Sequence, residues 1–436
     1  MKISIIGTGY VGLVSGAGLA ERGHNVVCVD IDKEVVNLIN RAESPIYEKG
    51  LESLLEKLVN QGKLEATTDI KRAVIDTEIT FICVGTPSKK DGSIDISSIK
   101  KASRDIAKAL SSKEGYHVVV VKSTVTPGIT DGPVKDILEK SGKVVGEDMG
   151  LGMNPEFLRE GVALKDFLEP DRVVIGGWDE KSKEKIKEVY SNFEVPKLVT
   201  DIRTAEMIKY ASNSLLATKI SFANEISRLC EKVGIDVYDV MDGVGLDHRI
   251  NRDFLNAGPG FGGSCFPKDV KALTNLAENH ESSAELLGAV LSINSTQPLH
   301  TVDILEDEIG DLKEKKIAVL GLAFKGGTDD VRETRALPII ETLQNKGAKV
   351  KGYDPEANEN FAKLNDEIEL KDNVEKALKN VDACIIQNDW KEFINLDSED
   401  FKNMKNKVVL DSRRVLDNKN LQGDIIYLTI GRGSID

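Results

Sequence analysis

Short apolar runs alternate with longer helical patterns over the first two hundred residues of this 436-residue chain. Runs of this kind are typical of strands in a parallel sheet, and the helical patterns between them are typical of crossover helices. The pattern predicts strands at 3–6, 26–29, 79–84, 117–121, 149–153 and 172–176. We therefore expect a parallel, doubly wound α/β domain over residues 1–200.

A glycine-rich turn follows the first predicted strand directly. It runs from Gly7 through Gly9 to Gly12 and leads into a helical pattern, a second strand and then Asp30. This order is typical of Rossmann units, in which such glycines make the tight turn, admit a pyrophosphate and allow close helix packing. The phosphates would lie at the helix N-terminus. Asp30 can accept from the ribose hydroxyls and would repel a 2′-phosphate, so we expect NAD rather than NADP. An ordinary βαβ turn is the alternative.

Helical periodicity without strand interruption extends from Thr204 to Val233, and two further helices are predicted over 269–280 and from 283 to about 309. We expect a central helical domain at 201–300 with a long spine helix. Apolar residues on the first helix predict a buried stripe, namely Ile208, Ala211, Leu215, Ile226, Leu229 and Val233.

A second Rossmann-like unit begins at Lys315. Residues 315–325 repeat the strand-then-glycine opening, and 336–355 repeat the helix, turn and strand that follow it. The full G-x-G-x-x-G is missing, so we expect no dinucleotide in this domain, placed at 301–436. The predicted fold class is α/β, with two Rossmann-like domains joined by a central helical domain.

Two threonines follow predicted strands, Thr86 in VGTPS and Thr124 in KSTVTPG. Ligands of open α/β sheets bind at the carboxyl ends of strands, so both threonines are expected to face the cofactor cleft. Either could instead cap a helix.

Cys265 lies in a glycine-rich run, with Lys268 and Asp269 close by. Glycines let the backbone approach a ligand closely. A nearby cation or a helix N-terminus favours the thiolate, which is the reactive form of cysteine. The other four cysteines lie in apolar runs or on a helical pattern and are expected in the core: Cys28, Cys83, Cys230 and Cys384.

Two pairs of polar residues are each four residues apart. Lys209 and Asn213 share one helical face, and an ammonium beside an amide can stabilise an oxyanion. A solvated lysine beside an unrelated amide is the alternative. Glu156 and Glu160 follow a predicted strand and a proline.

Composition excludes several classes of function. Hydrophobic content of 40% and charged content of 30% are typical of a soluble globular protein, and no run approaches the ~20 apolar residues of a membrane span. A strand begins at the second residue, which leaves no room for a signal peptide. Five scattered cysteines favour a reducing cytoplasm. A net charge of −14 disfavours nucleic-acid binding, and no metal ion is expected.

Taken together, these motifs resemble the UDP-glucose/GDP-mannose dehydrogenase family nearly from end to end: GTGYVG, VGTPS, KSTVTPG, NPEFLREG, GFGGSCFPKD, AFKGGTDDVRET and DSRRVLD. The resemblance implies that NAD oxidises a sugar nucleotide twice at C6, through a thiohemiacetal and a thioester on Cys265. UDP-glucose is the expected substrate, and GDP-mannose and UDP-N-acetylmannosamine are the alternatives. A homodimer is expected, with higher oligomers open.

The resemblance also implies residue roles. Besides Cys265, the catalytic residues would be Lys209, Asn213, Glu156, and the pair Asp269 and Thr124, which orients the hydrolytic water. NAD would contact Gly7, Gly9, Tyr10, Val11, Gly12, Asp30, Thr86, Thr124, Glu160, Lys268 and Arg332. The substrate would contact Glu156, Phe157, Leu158, Glu160, Lys209, Asn213, Phe254, Leu255, Gly258, Gly262, Lys325, Arg413 and, from a neighbouring subunit, Arg249.

The chain departs from the family pattern at three positions. Val35 stands where a basic residue is frequent, and Gly326 and Arg335 stand where proline is usual. The substrate contacts of the loop around Gly326 therefore stay open. Two other classes are alternatives: an inactive NAD-binding scaffold, and a 2-hydroxy-acid dehydrogenase, which needs no cysteine.

Overall fold

A computed structural model describes residues 1–416 and 421–433. The chain forms two compact units, Met1–Ser212 and Asn213–Asp436. Asp417, the last residue of the DSRRVLD motif, lies outside the described residues. The three-domain division with boundaries at 200 and 300 remains a prediction.

The first unit is built on an eight-stranded sheet. Its strands are β1 (Lys2–Ile6), β2 (Asn25–Val29), β3 (Leu64–Thr67), β4 (Ile79–Ile82), β5 (His117–Val121), β6 (Met149–Met153), β7 (Val173–Gly177) and β8 (Lys197–Thr200). The sheet order is β3-β2-β1-β4-β5-β6-β7-β8. From β1 the strand order runs through β2 to β3 on one side and through β4 to β8 on the other. Ligands of open α/β sheets bind at such a switch point, which here lies between β1 and β4.

All six predicted strands of this unit are confirmed, and β3 and β8 were missed because each has only four residues, half of them polar. The expectation of an all-parallel sheet is wrong at one place, because β6 and β7 pair antiparallel. The helix between them, Ala163–Leu168, has six residues. It spans only about 9 Å, too short to carry the chain back along a strand of about 17 Å.

Helices surround this sheet, which is buried along β4, β5, β6 and β7. A π-helical turn at Thr130–Val134 and a 3₁₀ turn at Glu139–Ser141 flank α6. The helices of this unit are α1 (Tyr10–Glu21), α2 (Lys33–Asn40), α3 (Leu51–Asn60), α4 (Ile70–Asp76), α5 (Ser97–Leu110), α6 (Lys135–Leu138), α7 (Ala163–Leu168), α8 (Glu180–Val189) and the beginning of α9 (Ile202–Val233).

The second unit combines long helices with a six-stranded parallel sheet in the order β11-β10-β9-β12-β13-β14. This sheet confirms the second Rossmann-like unit. The helices after α9 are α10 (Val237–Gly245), α11 (Phe266–Asn279), α12 (Glu285–Ile309), α13 (Ala336–Asn345), α14 (Asn358–Ala362), α15 (Val374–Leu378) and α16 (Lys391–Ile394). The strands are β9 (Lys316–Leu320), β10 (Lys349–Tyr353), β11 (Glu369–Leu370), β12 (Ala383–Ile386), β13 (Val408–Asp411) and β14 (Ile426–Thr429).

The apolar stripe of α9 is the main error of the sequence analysis. Leu215, Leu229 and Val233 are more than half exposed, Ala211 is also exposed, and Ile208 and Ile226 are half-buried. The face of α9 that is buried instead carries small and polar side chains, among them Glu206, Lys209, Asn213, Ala217, Ala223 and Asn224. Helical periodicity shows which residues share a face but not which face turns inward. Among the described helices, none is long and apolar enough to cross a bilayer.

Candidate active site

The glycine loop after β1 has the geometry that a dinucleotide requires. Gly7 has a φ of +95°, and a Cβ on Gly12 would lie 1.8 Å from the Gly7 carbonyl oxygen. Gly9 is the N-cap of α1, and a Cβ there would meet no atom within 4 Å. Tyr10 and Val11 begin the helix. The loop therefore leaves open space at a helix N-terminus, which fits a pyrophosphate.

Asp30 lies at the end of β2 and also braces this loop. Its Oδ2 accepts from the Thr8 backbone N–H (3.0 Å) and the Thr8 hydroxyl (2.5 Å), and its Oδ1 accepts from the Asp32 N–H (3.1 Å). This second role of Asp30 was not predicted from the sequence, because the bonds to Thr8 join residues that are distant along the chain. The Asp30 carboxylate thus links the glycine loop to the end of β2, where the ribose of a bound NAD would lie.

Thr86 and Thr124 lie after β4 and β5 and are joined directly. The Thr86 hydroxyl donates to the Thr124 carbonyl oxygen (3.0 Å), and the Ser123 hydroxyl donates to the Val84 carbonyl oxygen (2.7 Å). Neither threonine begins a helix, so the helix-cap alternative is wrong. The loops after the neighbouring strands β4 and β5 are therefore held together beside the switch point.

Glu156 and Lys209 form a buried ion pair, with Glu156 Oε1 3.0 Å from Lys209 Nζ and both side chains at most 6% exposed. Glu156 Oε2 accepts from the Leu158 N–H (2.6 Å). Burial alone would raise the pKa of Glu156. The charges of Lys209 and Lys122 and the Leu158 N–H outweigh this effect, so the pKa lies below its ordinary value.

An aromatic ring lies between two cations in the same unit. The Phe157 centroid is 3.8 Å from Arg172 Cζ and 5.4 Å from Lys209 Nζ. Such contacts stabilise a cation at a ring face. The sequence analysis missed Arg172, which no local motif marks. Glu160, the second predicted carboxylate of this segment, is half-buried.

A buried polar network, which was not predicted from the sequence, joins the ends of β5 and β6. Lys122 Nζ donates to Asn154 Oδ1 (2.8 Å), and the Tyr190 hydroxyl donates to the same oxygen (2.5 Å). Burial lowers the pKa of Lys122 to about 8, and the Lys209 charge acts in the same direction. Lys122 begins the KSTVTPG motif, which is the signal that could have identified it.

In the second unit, Cys265 is half-buried and is the N-cap of α11. A helix N-terminus favours the thiolate form of a cysteine. The other four cysteines are buried, which confirms the predicted contrast, and burial raises the pKa of Cys28 and of Cys83 to about 12. None of the five cysteines forms a disulfide.

Asp269 is held one turn into α11. It is 1% exposed, and its carboxylate accepts from Lys268 Nζ (2.6 Å) and from Asn213 Nδ2 (2.6 Å). The Asp269 N–H donates to the Cys265 carbonyl oxygen (2.8 Å). Four residues that the sequence predicted as functional are thus brought together: Asn213, Cys265, Lys268 and Asp269.

The segment before Cys265 is fixed by two asparagines that the sequence analysis missed. Asn294 bonds both the N–H and the carbonyl of Phe261 (2.7 and 3.0 Å). Asn224 Oδ1 accepts from the Gly258 N–H (2.8 Å). A Cβ on Gly262 would lie 2.3 Å from the Glu333 carbonyl oxygen, so this glycine is required for the close approach.

The predicted substrate-contacting residues differ in exposure. Arg413 is half-buried and donates to the carbonyl oxygens of Gly260 (3.2 Å) and Gln387 (3.1 Å). The Leu255 side chain is buried in the core, so only the backbone of this residue could contact the substrate. The ring of Phe254, which has a φ of +64°, lies edge-on to Phe266.

The remaining predicted cations lie nearer the surface. Lys325 Nζ is 5.6 Å from the Phe324 ring centroid, and Arg332 pairs with Asp330 (2.6 Å). Arg249 is exposed and pairs with Asp247 (2.5 Å). In the part of the chain that the structure describes, no cluster of His, Cys, Asp and Glu is suited to a metal ion.

A Rossmann unit with this glycine loop and an acidic residue after β2 is typical of an NAD-binding enzyme. Three models of the UDP-glucose/GDP-mannose dehydrogenase family match the chain: the NAD binding domain at 1–194, the central domain at 203–296 and the UDP binding domain at 318–418. The chain belongs to this family, and its cofactor is NAD.

Similar proteins cover nearly the whole chain. UDP-glucose 6-dehydrogenase TuaD of Bacillus subtilis is 45% identical, over 100% of this chain and 94% of its own. UDP-glucose 6-dehydrogenase AglM of Haloferax volcanii is 44% identical, over 95% and 97%. The structure of a UDP-glucose dehydrogenase from Pyrobaculum islandicum has a TM-score of 0.92 at 40% identity, over 99% and 98%.

We predict that Asp30→Asn lowers the preference for NAD over NADP, measured as the ratio of kcat/KM values, by at least about tenfold, the size expected for a lost charged hydrogen bond. The amide oxygen can still accept from the Thr8 N–H, so the loop is retained while the charge is removed. Asp32→Asn, which alters the N-cap of α2, is the control and should leave the ratio unchanged. Equal use of both cofactors by the unmodified protein would contradict the prediction.

Proposed function

We propose that the chain catalyses the NAD-dependent four-electron oxidation of UDP-glucose at C6 to UDP-glucuronate. The observation that carries this proposal is the cluster at α11, where Cys265 lies at the helix N-terminus and Asp269 is bonded by Lys268 and Asn213. The relatives at 44–45% identity are named UDP-glucose 6-dehydrogenases, which favours UDP-glucose as the substrate. GDP-mannose and UDP-N-acetylmannosamine remain the alternatives.

The first oxidation removes a proton from the C6 hydroxyl and a hydride from C6, which gives an aldehyde. NAD, when bound, accepts one hydride in each of the two oxidations. The Glu156 carboxylate accepts the proton of the C6 hydroxyl, and Lys209 stabilises the developing alkoxide. The buried ion pair with Lys209 keeps Glu156 ionised before the reaction begins. Preorganised charge of this kind needs little rearrangement when the alkoxide forms.

The second oxidation uses the thiol. The Cys265 thiolate adds to the aldehyde carbon, which forms a C–S bond and a tetrahedral oxyanion that Lys209 and Asn213 stabilise. Loss of the second hydride from C6 leaves a thioester on Cys265. The covalent bond retains the sugar, so no free aldehyde is released between the two oxidations.

Hydrolysis completes the cycle. Asp269 and Thr124 orient a water molecule, whose oxygen adds to the thioester carbon while the Asp269 carboxylate accepts its proton. The C–S bond then breaks, the thiol leaves and the carboxylate is released. The balance is one water consumed and four electrons removed as two hydrides. Acid–base assistance of this kind contributes roughly 10²–10⁴ in rate.

We predict that Cys265→Ser traps the sugar. Serine can form an ester, which hydrolyses slowly because an alkoxide is a poorer leaving group than a thiolate. Mass spectrometry of the variant with UDP-glucose and NAD should find a UDP-glucuronyl adduct on the peptide containing position 265. Cys230→Ala, which changes a buried thiol of α9, is the control and should turn over without an adduct. Near-normal turnover by Cys265→Ala would refute the mechanism.

We further propose a homodimer that covers the exposed face of α9. Leu215, Phe222 and Leu229 are spaced by seven residues, about two helical turns, and are 62%, 47% and 56% exposed. A row of exposed apolar side chains along one helix is typical of an interface. Because α9 also carries Lys209 and Asn213, a second copy against this face lies close to the catalytic machinery. In this proposal Arg249 releases Asp247, with which it pairs in the single chain, and binds the substrate of the partner subunit instead.

We predict that Phe222→Glu combined with Leu229→Glu weakens self-association by at least about tenfold, since each change buries a charge in the interface. Analytical ultracentrifugation measures the effect. Leu364→Glu, at an apolar residue of similar exposure outside α9, is the control. In the dimer, Arg249→Ala should raise the KM for UDP-glucose. A fully active monomer at assay concentration would contradict the proposal.

A further inference from the structure

Glu206 is a buried carboxylate that the proposed mechanism does not use. It lies near the beginning of α9, one turn before Lys209, and its exposed fraction is 0%. Its Oε2 accepts from the Gly128 N–H (2.8 Å) and its Oε1 accepts from the Thr130 N–H (3.0 Å). A buried charge is costly unless it is hydrogen-bonded, and these two bonds are charge-assisted. Both oxygens therefore have a partner in the same short segment.

That segment carries Thr124. It leaves β5 at Val121, and the carbonyl oxygen of Thr124 is held by the Thr86 hydroxyl (3.0 Å). Gly128 has a φ of +97°, so the chain turns sharply just where Glu206 binds it. Thr86 thus fixes the beginning of the segment and Glu206 fixes its end.

We propose that Glu206 is a positioning residue: its carboxylate holds the Gly128 and Thr130 amides and thereby keeps Thr124 in place for thioester hydrolysis. The inference rests on the proposed function, because it assigns Thr124 to the hydrolytic step. Glu206 itself touches neither substrate nor cofactor in this account. It acts through the backbone of the 124–130 segment.

The charges around Glu206 make this clamp sensitive to pH. Burial raises the pKa of Glu206 from 4.5 to about 7; the Thr130 and Gly128 hydrogen bonds oppose the rise, and the Asp131 charge adds to it. Asp131 is itself paired with Arg203 (2.6 Å), one turn before Glu206 on α9. Lys209, one turn after, is paired with Glu156.

The direction of the pH effect follows from the two protonation states. Above about pH 7 the carboxylate predominates, and both of its oxygens accept. Below that pH the protonated oxygen is a hydroxyl and a poor acceptor for a backbone N–H, so one of the two bonds weakens. The segment that carries Thr124 is therefore held more firmly as the pH rises through 7.

Glu206→Gln tests the proposal, because the amide resembles the protonated carboxyl in retaining one acceptor oxygen. Misplacing a group in this way costs roughly 10²-fold in rate, so kcat at pH 8 should fall by about that factor. The KM for UDP-glucose should fall in parallel, because kcat/KM reports the steps up to the thioester, which are unchanged. Rapid mixing should show a burst of two NADH per subunit before the slow steady state, since only hydrolysis is impaired. The limb of the kcat profile near pH 7 should disappear. Glu52→Gln, at an exposed residue of α3, is the control and should behave as the unmodified protein.

Amide hydrogen exchange of the unmodified protein provides a readout that requires neither substrate nor a folded variant. After correction for the intrinsic pH dependence of exchange, the Gly128 and Thr130 amides should be better protected at pH 8 than at pH 6. Equal protection would overturn the clamp. A fall in the first NADH-forming step as large as the fall in kcat, or an unchanged kcat, would overturn the positioning role. Failure of the proposed function would appear separately, as a Cys265→Ser variant that forms no adduct.

Discussion

The buried polar face of α9 is the constraint on which the functional groups of this chain depend. Glu206, Lys209 and Asn213 lie three and four residues apart, so all three point to the same side of the helix. An unpaired buried charge costs several kcal/mol, and each side chain therefore needs a partner. The partners are two backbone amides after β5, Glu156 after β6 and Asp269 in α11.

In this arrangement the same carboxylates contribute to the stability of the fold and to the proposed reaction. Glu156 and Asp269, which neutralise or bond the helix residues, are also the carboxylates to which we assign proton transfer and water activation. A substitution at either partner therefore alters the fold and the reaction together. For this reason conservative changes such as Glu→Gln, which keep the shape of the side chain, separate the two effects better than truncation to alanine.

The outward face of α9 has the opposite character. Its leucines and Phe222 are exposed in a single copy of the chain. An enzyme that buries polar catalytic groups on one side of a helix leaves the apolar side for another surface. In the proposed homodimer a second copy of the chain would provide that surface, and α9 would then lie near the partner's site as well as its own.

Short-range sequence patterns predicted the elements of the structure that depend on residues close together along the chain. Six of the eight strands of the first sheet, the opening strands of the second sheet, the glycine loop and the contrast between Cys265 and the buried cysteines all follow from short-range periodicity and composition. The inward face of α9 and the antiparallel β6–β7 pair did not, because both depend on contacts between distant residues. The same holds for polar residues that brace the site from afar: Lys122, Asn154, Arg172, Tyr190, Glu206, Asn224 and Asn294.

In the proposed mechanism one subunit carries out both oxidations, and the sugar is bound covalently to Cys265 from the aldehyde until hydrolysis. The most direct test is the stoichiometry of the unmodified enzyme with limiting UDP-glucose and excess NAD. We expect two NADH and one UDP-glucuronate for each UDP-glucose consumed, and no free aldehyde trapped by an added amine. One NADH per sugar, or an aldehyde captured in proportion to turnover, would contradict it.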